Sequence, residues 1–213
     1  ISFFKKYIKN YENLNINNIN DVERLDTNYD VIFHLAAIIG VAHVLERPYD
    51  VLSDNILMLV NMIDFARRQK KLSRFFFAST SEVYAGTLKY FELSIPTPES
   101  TPLAITDLSQ QRTSYMLSKI YGEALCRQSG IPFTIFRPHN VYGARMGMSH
   151  VIPEQLKKTF EAKDNDMIDV FSVDHTRCFC FIDDAIEMLW RMMNSNDCKH
   201  KTLNLGTQNP EIS

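Results

Sequence analysis

Glycine is scarce in this chain: its 213 residues include seven, and the first is Gly40. A turn that wraps its backbone around a phosphate needs glycines close together ahead of a helix, so no phosphate cradle is possible before His34. Long apolar runs are missing too. None approaches the ~18 residues that span a bilayer, and no signal peptide is expected. Basic charge is not in excess: the net charge is −2, which argues against a nucleic-acid surface. The four cysteines form no Cys-x-x-Cys. Cys178 and Cys180 have the spacing of alternate residues on one face of a strand, so no metal site is expected. Unpaired thiols suit a reducing, cytoplasmic setting. What is present is ordinary for a globular protein: 45% apolar and 23% charged residues, enough for one large domain or one with a small lobe. There is no internal repeat, and beyond the asparagine-rich stretch near the start there is no low-complexity segment. The absence of an initiator methionine, and an end just past a strand-like segment, lead us to expect a fragment.

The stretch Tyr115-Met-Leu-Ser-Lys119 organises the reading. Met116, Ile120, Ala124 and Leu125 recur at helical spacing, and Gly130-Ile131-Pro132 stops the pattern, predicting a helix over Arg112–Gln128. Residues four apart share a helix face, so Tyr115 and Lys119 point the same way. A free phenol has a pKa of about 10. A cation held nearby favours the phenolate and would bring Tyr115 toward the range of a general base. Taken alone, such a pair is equally an amphipathic surface pair.

Around it, Ile1–Asn10 reads as the tail of a helix, Asn13–Asp21 as a short strand, and Asp21–Leu25 as one helical turn. Asp30–Ala37 is an almost wholly apolar run, the pattern of a strand buried on both faces of a parallel sheet. Ala36 and Ala37 at its end either admit a ligand to the backbone or simply pack. Pro48–Lys70 is a long helix ending in a solvated basic cluster. Leu72–Ser79 is a second buried strand that delivers Ser79-Thr-Ser-Glu-Val-Tyr84 to the same sheet edge. Those hydroxyls need partners or work, and a Ser/Thr turn would serve as well. Tyr90–Gln111 is a surface loop over that edge. A strand over Pro132–Arg137 runs into Arg137-Pro-His-Asn-Val-Tyr-Gly143. Alternating strands and helices predict an α/β fold, a doubly wound parallel sheet. Beyond Gly147, a helix over Val151–Phe160, strands over Met167–Ser172, Arg177–Ile182 and Thr202–Leu205, and a helix over Asp183–Asn194 describe a smaller α/β lobe interleaved with the sheet. The division expected is residues 1–147 and 148–213.

In order along the chain stand His34-Leu-Ala-Ala37, Ser79-Thr-Ser-Glu-Val-Tyr84, Tyr115-x-x-x-Lys119 and Arg137-Pro-His-Asn-Val-Tyr-Gly143. Together they resemble the extended short-chain dehydrogenase/reductase family, in its NAD-dependent epimerase/dehydratase branch. Arg177-Cys-Phe-Cys-Phe-Ile-Asp-Asp184 and Leu203-Asn-Leu-Gly206 resemble later landmarks of that family. The resemblance covers residues 30 to 213 and implies a Rossmann-like domain incomplete at its N-terminus, because the family opens with a glycine-rich turn that seats the cofactor pyrophosphate.

By this resemblance the cofactor is NAD and the substrate a nucleotide sugar, most often a UDP-sugar. Tyr115 matches the catalytic base, Lys119 the lysine that tunes it and holds the nicotinamide ribose, and Thr80 the hydroxyl that bonds the reacting sugar hydroxyl. Ala36, Ala37, Asn55 and Pro138 fall at cofactor positions. Ser81, Asn140, His150, Val151 and Arg177 fall at substrate positions, where an arginine fork suits phosphate. Asn55, His150 and Val151 are equally readable as structural. The dehydratases carry an aspartate at the place of Ser81, which disfavours dehydration. Glu82 is either catalytic or structural. The expected reaction is epimerisation through a transient 4-keto sugar, as in UDP-glucose 4-epimerase. UDP-glucuronate decarboxylation is the alternative, and NAD or nucleotide-sugar binding without turnover is a third reading. Relatives also imply a homodimer built on the two long helices.

Overall fold

A computed structural model describes residues 10–164, 166–170, 176–207 and 211–212 of the chain. Its main sheet has four parallel strands in the order β1 (Val31–His34), β2 (Arg74–Ala78), β3 (Phe133–Pro138) and β6 (Lys201–Leu205). The register aligns Phe33 with Phe76, Phe76 with Thr134, and Thr134 with Lys201. The connections are helical. α2 (Val41–Glu46) and α3 (Pro48–Arg67) join β1 to β2, and a single 3-10 turn (Ser81–Tyr84), α4 (Ala85–Tyr90) and α5 (Thr113–Gln128) join β2 to β3. Before β6 come β4 (Asn140–Tyr142), α6 (Val151–Glu161), β5 (Arg177–Phe181) and α7 (Ile182–Asn194). β4 pairs parallel with β5, and β5 antiparallel with β7 (Glu211–Ile212), in a second sheet.

The run Phe75-Phe76-Phe77 shows why the sheet is covered on both faces. Alternate strand residues point opposite ways. Phe75 and Phe77 enter a core with Leu59 and Ile63 of α3, Cys126 of α5 and Ile135 of β3. Phe76 faces the other side, with Phe136, Leu205, and Ala185 and Met192 of α7. A strand buried on both faces cannot alternate polar and apolar residues, and β2 does not. Close approach of α5 to this layer depends on Gly122, where a Cβ would come within 2.5 Å of Phe77 Cζ and 2.9 Å of Leu59 Cδ2.

A charged pair is buried where β3 meets α5. Arg137 Nε and Nη2 donate to Glu123 Oε1 and Oε2 at 2.8 and 2.7 Å, with both side chains almost fully enclosed. Arg137 also donates to the Tyr84 hydroxyl, beneath whose ring its guanidinium lies at 4.8 Å, and to Glu99 O at 3.2 Å. The Tyr84 hydroxyl donates to Asn204 Oδ1 of β6 at 2.9 Å. Asn204 Nδ2 in turn donates to Thr97 O at 2.8 Å, which anchors the loop between α4 and α5.

Several expected boundaries move. The Asn13–Asp21 strand does not form. Asparagine side chains compete for the local backbone: Asn15 accepts from Asn17 N at 3.1 Å, and Asn18 caps α1 (Ile19–Glu23) by accepting from Asn20 N at 3.1 Å. The Met167–Ser172 strand is not present over residues 167–170, where Met167 and Val170 are exposed with no strand to pair with; Phe171 and Ser172 lie outside the described residues. The helix from Pro48 stops at Arg67, because Lys70 N leaves it to bond Thr27 O at 3.3 Å. β1 stops at His34, three residues short of Ala37. The helix tail expected before Asn10 lies outside the described residues.

Breaking a buried ion pair by removing one partner leaves an uncompensated charge and costs about 3–5 kcal/mol. Arg137→Met should therefore lower the unfolding free energy read from urea titration by that amount. A free energy within about 1 kcal/mol of wild type would mean that the pair is not a main determinant of this fold.

Candidate active site

Three consecutive residues leave the carboxyl end of β2, and three side chains at intervals of four along α5 meet them. Lys119 Nζ donates to Ala78 O at 2.9 Å. Glu123 Oε1 accepts from Ser79 Oγ at 2.6 Å. Tyr115 faces Thr80, whose hydroxyl works to hold the phenol pKa down. Thr80 Oγ1 also accepts from Glu82 N at 3.2 Å and so caps the 3-10 turn. The turn uses a lone pair and leaves the O–H to donate. Ligands in open α/β sheets bind at this end of the strands.

The electrostatics differ from those expected. Burial pushes the Tyr115 phenol up to about 12, Glu82 adds to the rise, and the Thr80 hydroxyl works against it. Lys119 does not bring Tyr115 down: its ammonium is turned to Ala78 O and lies 5.6 Å from the centre of the Tyr115 ring. Burial lowers Lys119 itself to about 8. Glu82 is exposed over the residue as a whole, yet desolvation pushes its carboxyl up, with Arg112 opposing.

His34 belongs to this cluster. It is 4% exposed, with the rings of Phe75 and Phe77 at 6.2 and 6.1 Å. Burial, with the Lys119 charge as a second cause, brings it down to about 4. It is a neutral imidazole at neutral pH.

The other expected positions divide. Ala36, exposed, and Ala37, half-buried, follow the end of β1 and keep it open. Asn55 is buried and bound to the loop just beyond them: its Oδ1 accepts from Ile38 N at 2.7 Å, and its Nδ2 donates to Ile38 O at 3.2 Å and Ser118 Oγ at 3.4 Å. It shapes the loop through these bonds. Pro138 closes β3, and Ser81 opens the 3-10 turn. Asn140 and Arg177 sit on neighbouring strands of the second sheet, with Asn140 Nδ2 on Cys178 O at 3.3 Å and Arg177 on Thr176 O at 2.7 Å. His150 precedes α6 and Val151 begins it, both exposed. Among the described residues, no hydrogen bond joins these four to Tyr115, Thr80 or Lys119. Glu123 was not singled out from the sequence, and Ser79 only as one of the hydroxyls at the end of β2. Glu123 lies four residues beyond Lys119, so the same helical spacing already placed it on the face of Tyr115 and Lys119.

The residues present fit one end of a dinucleotide. Lys119 spends one of its three donors on Ala78 O, and small residues line the end of β1. A glycine cradle for the pyrophosphate is not among them, since no glycine precedes Gly40. Among the described residues no group of histidine, cysteine and carboxylate side chains is arranged to hold a metal ion. No helix among them is long and apolar enough to cross a membrane.

Residues 4–206 match the model of the NAD dependent epimerase/dehydratase family. The chain belongs to this family. It is 31% identical over 196 residues to a UDP-N-acetyl-alpha-D-glucosaminuronate decarboxylase of Bacillus cytotoxicus, an alignment covering 89% of this chain and 57% of that protein. The chain thus spans little more than half the length of this relative. Among solved structures it is similar in fold to RMD of Pseudomonas aeruginosa complexed with NADPH, at a TM-score of 0.78 and 19% identity, covering 94% of this chain and 68% of the other. It is also similar to a UDP-glucuronic acid 4-epimerase of Bacillus cereus in complex with UDP-glucuronic acid and NAD, at a TM-score of 0.71 and 24% identity, covering 90% and 60%. The family is NAD dependent, and these neighbours carry NADPH and NAD.

The depressed His34 pKa has a signed consequence. Between about 4 and 6.5 the unfolded chain binds a proton that the folded chain refuses, so stability falls as pH drops through this window. The full penalty is about 3 kcal/mol. Urea titrations at pH 7 and pH 4.5 should show a smaller loss for His34→Gln than for wild type. Equal losses would show that His34 does not carry the slope.

Proposed function

We propose that this chain is the catalytic part of an NAD-dependent enzyme that oxidises C4 of a UDP-sugar to a transient 4-keto sugar. The observation that carries this is the alignment of Tyr115, Lys119 and Thr80 at the end of β2. NAD, when bound, supplies the hydride acceptor at C4. Lys119, Ala36, Ala37 and Pro138 would hold its nicotinamide ribose end, with Asn55 fixing the loop beneath. Tyr115 takes the proton of the C4 hydroxyl, and Thr80 donates to the oxygen that gives it up. Positive charge brought beside Tyr115 by the bound cofactor would offset the burial that otherwise keeps its phenol protonated. Asn140 and Arg177 on the second sheet would take the diphosphate, with His150 and Val151 near the base.

Two endings are open to a 4-keto sugar, and we place decarboxylation of a UDP-uronate first. A carboxylate at C6 is β to the new ketone. It leaves as carbon dioxide, its bonding electrons pass to C5 and the C4 oxygen, and C5 then takes a proton; C4 would then regain its hydride and the C4 oxygen a proton from Tyr115, which gives the UDP-pentose. Two observations support this ending. Glu82, whose charge raises the Tyr115 phenol and whose own carboxyl is pushed up by burial, would supply the proton that C5 takes. The 31% identical relative is named as a decarboxylase of a UDP-sugar acid. Epimerisation, placed first from the sequence, is the second reading: it needs nothing beyond Tyr115, Thr80 and Lys119. The same reading carries the homodimer through α3 and α5, on whose surfaces Tyr49, Leu57 and Tyr121 are exposed.

Proton NMR of reactions with NAD and UDP-glucuronate, UDP-N-acetylglucosaminuronate, UDP-glucose or UDP-N-acetylglucosamine tests these endings in the full-length protein. A UDP-pentose or its 2-acetamido counterpart is expected. An inverted C4 coupling with carbon retained would replace decarboxylation by epimerisation. Tyr115→Phe should lower turnover by roughly 10²–10⁴-fold; unchanged turnover would remove Tyr115 as the base. Light scattering should give twice the chain mass, and a monomer would exclude the dimer.

A further inference from the structure

The ladder between α5 and the end of β2 has a rung that the proposed chemistry does not use. Ser79 and Glu123 are both buried, and the 2.6 Å bond between them lies beside the Lys119–Ala78 bond and immediately precedes Thr80. Glu123 cannot follow a shift of Ser79, because both its oxygens are held by Arg137. Arg137 is itself fixed on β3 and bound to Tyr84, which lies four residues beyond Thr80. Thr80 is therefore bracketed. Ser79 before it is tied to α5, and Tyr84 after it is tied to β3 and β6.

We propose that Ser79 and Glu123 are positioning residues: their hydrogen bond, backed by Arg137, holds the Thr80 hydroxyl at the phenol oxygen of Tyr115. This inference rests on the reading of Tyr115 as the base. Of Ser79, Thr80 and Ser81, the one bonded to Glu123 thereby acquires a function. Without the Ser79 hydroxyl, the backbone before Thr80 keeps its bonds from Ser79 N to Phe136 O and from Lys119 to Ala78 O but loses its tie to Glu123, and misplacements of about 1 Å at such a site cost up to 10²-fold in rate.

The test reads the phenol directly. The chain is labelled with ¹³Cζ-tyrosine, and the Tyr115 resonance is assigned by its loss in Tyr115→Phe. Thr80→Val should move this resonance by removing the donor. Ser79→Ala should move it in the same direction, whereas Ser79→Thr, which keeps the hydroxyl, should restore the wild-type position. If Ser79→Ala does not fold, Ser79→Cys, close in volume and a weaker donor, is read in the same way. A Tyr115 resonance at the wild-type position in Ser79→Ala or Ser79→Cys overturns the proposal, as does one that Thr80→Val leaves unmoved. In the full-length protein with NAD and the UDP-uronate, Ser79→Ala should lower kcat roughly tenfold to a hundredfold with KM unchanged. A wild-type protein without turnover would remove the functional reading and leave the resonance to decide the positioning role.

Discussion

The buried pair of Arg137 and Glu123 is the constraint on which the rest of the site depends. Two charges withdrawn from water are tolerated only when every remaining donor and acceptor is placed. Here that requirement recruits Ser79, Tyr84, Glu99 and, through Tyr84, Asn204. Those residues come from the end of β2, the 3-10 turn, the α4–α5 loop and β6. One pair thus fixes the relative placement of three adjacent strands and the helix that carries Tyr115. The apolar layers on either side of Phe75, Phe76 and Phe77 supply the drive to fold, but they are tolerant of sliding. The ion pair is not, because its geometry is bidentate.

The sheet was legible because its strands are buried on both faces. Continuous apolar runs bounded by polar turns located β1, β2 and β3, and helical periodicity located α3, α5 and α7. The site was legible for a related reason: strand ends in a parallel sheet collect residues with no packing role, and Ser79-Thr-Ser-Glu stands out after Phe75-Phe-Phe-Ala. Elements without neighbours were misread. Asn15 and Asn18 bond the local backbone, and Met167 to Val170 have no partner strand among the described residues, so propensity did not decide them. The direction of the Tyr115 shift was also out of reach. Spacing shows that Lys119 shares a face with Tyr115, but not that its ammonium is turned to Ala78 O, nor how far burial and Glu82 outweigh it.

Family membership and the described geometry answer different questions. Residues 4–206 match an NAD-dependent family, which names the chemistry at the end of β2. The positions proposed for the diphosphate and the base, Asn140, Arg177, His150 and Val151, lie on the second sheet and at the start of α6. α6 buries none of its residues. The half of the proposed site that would carry the chemistry thus sits on the continuous parallel sheet, and the half that would hold the nucleotide sits on the second sheet and a helix with no buried face.

The two opposed pKa shifts have a consequence for direction. With Tyr115 near 12 and Lys119 near 8, both hold their protons at neutral pH. The resting site is thus a charged reservoir one proton fuller than a working base requires. Facing an alcohol it must first give that proton away; facing a ketone it has one ready to deliver. In the proposed cycle these side chains alone would favour the return leg, in which a carbonyl oxygen becomes a hydroxyl, and charge brought in with the cofactor would drive proton release on the outward leg.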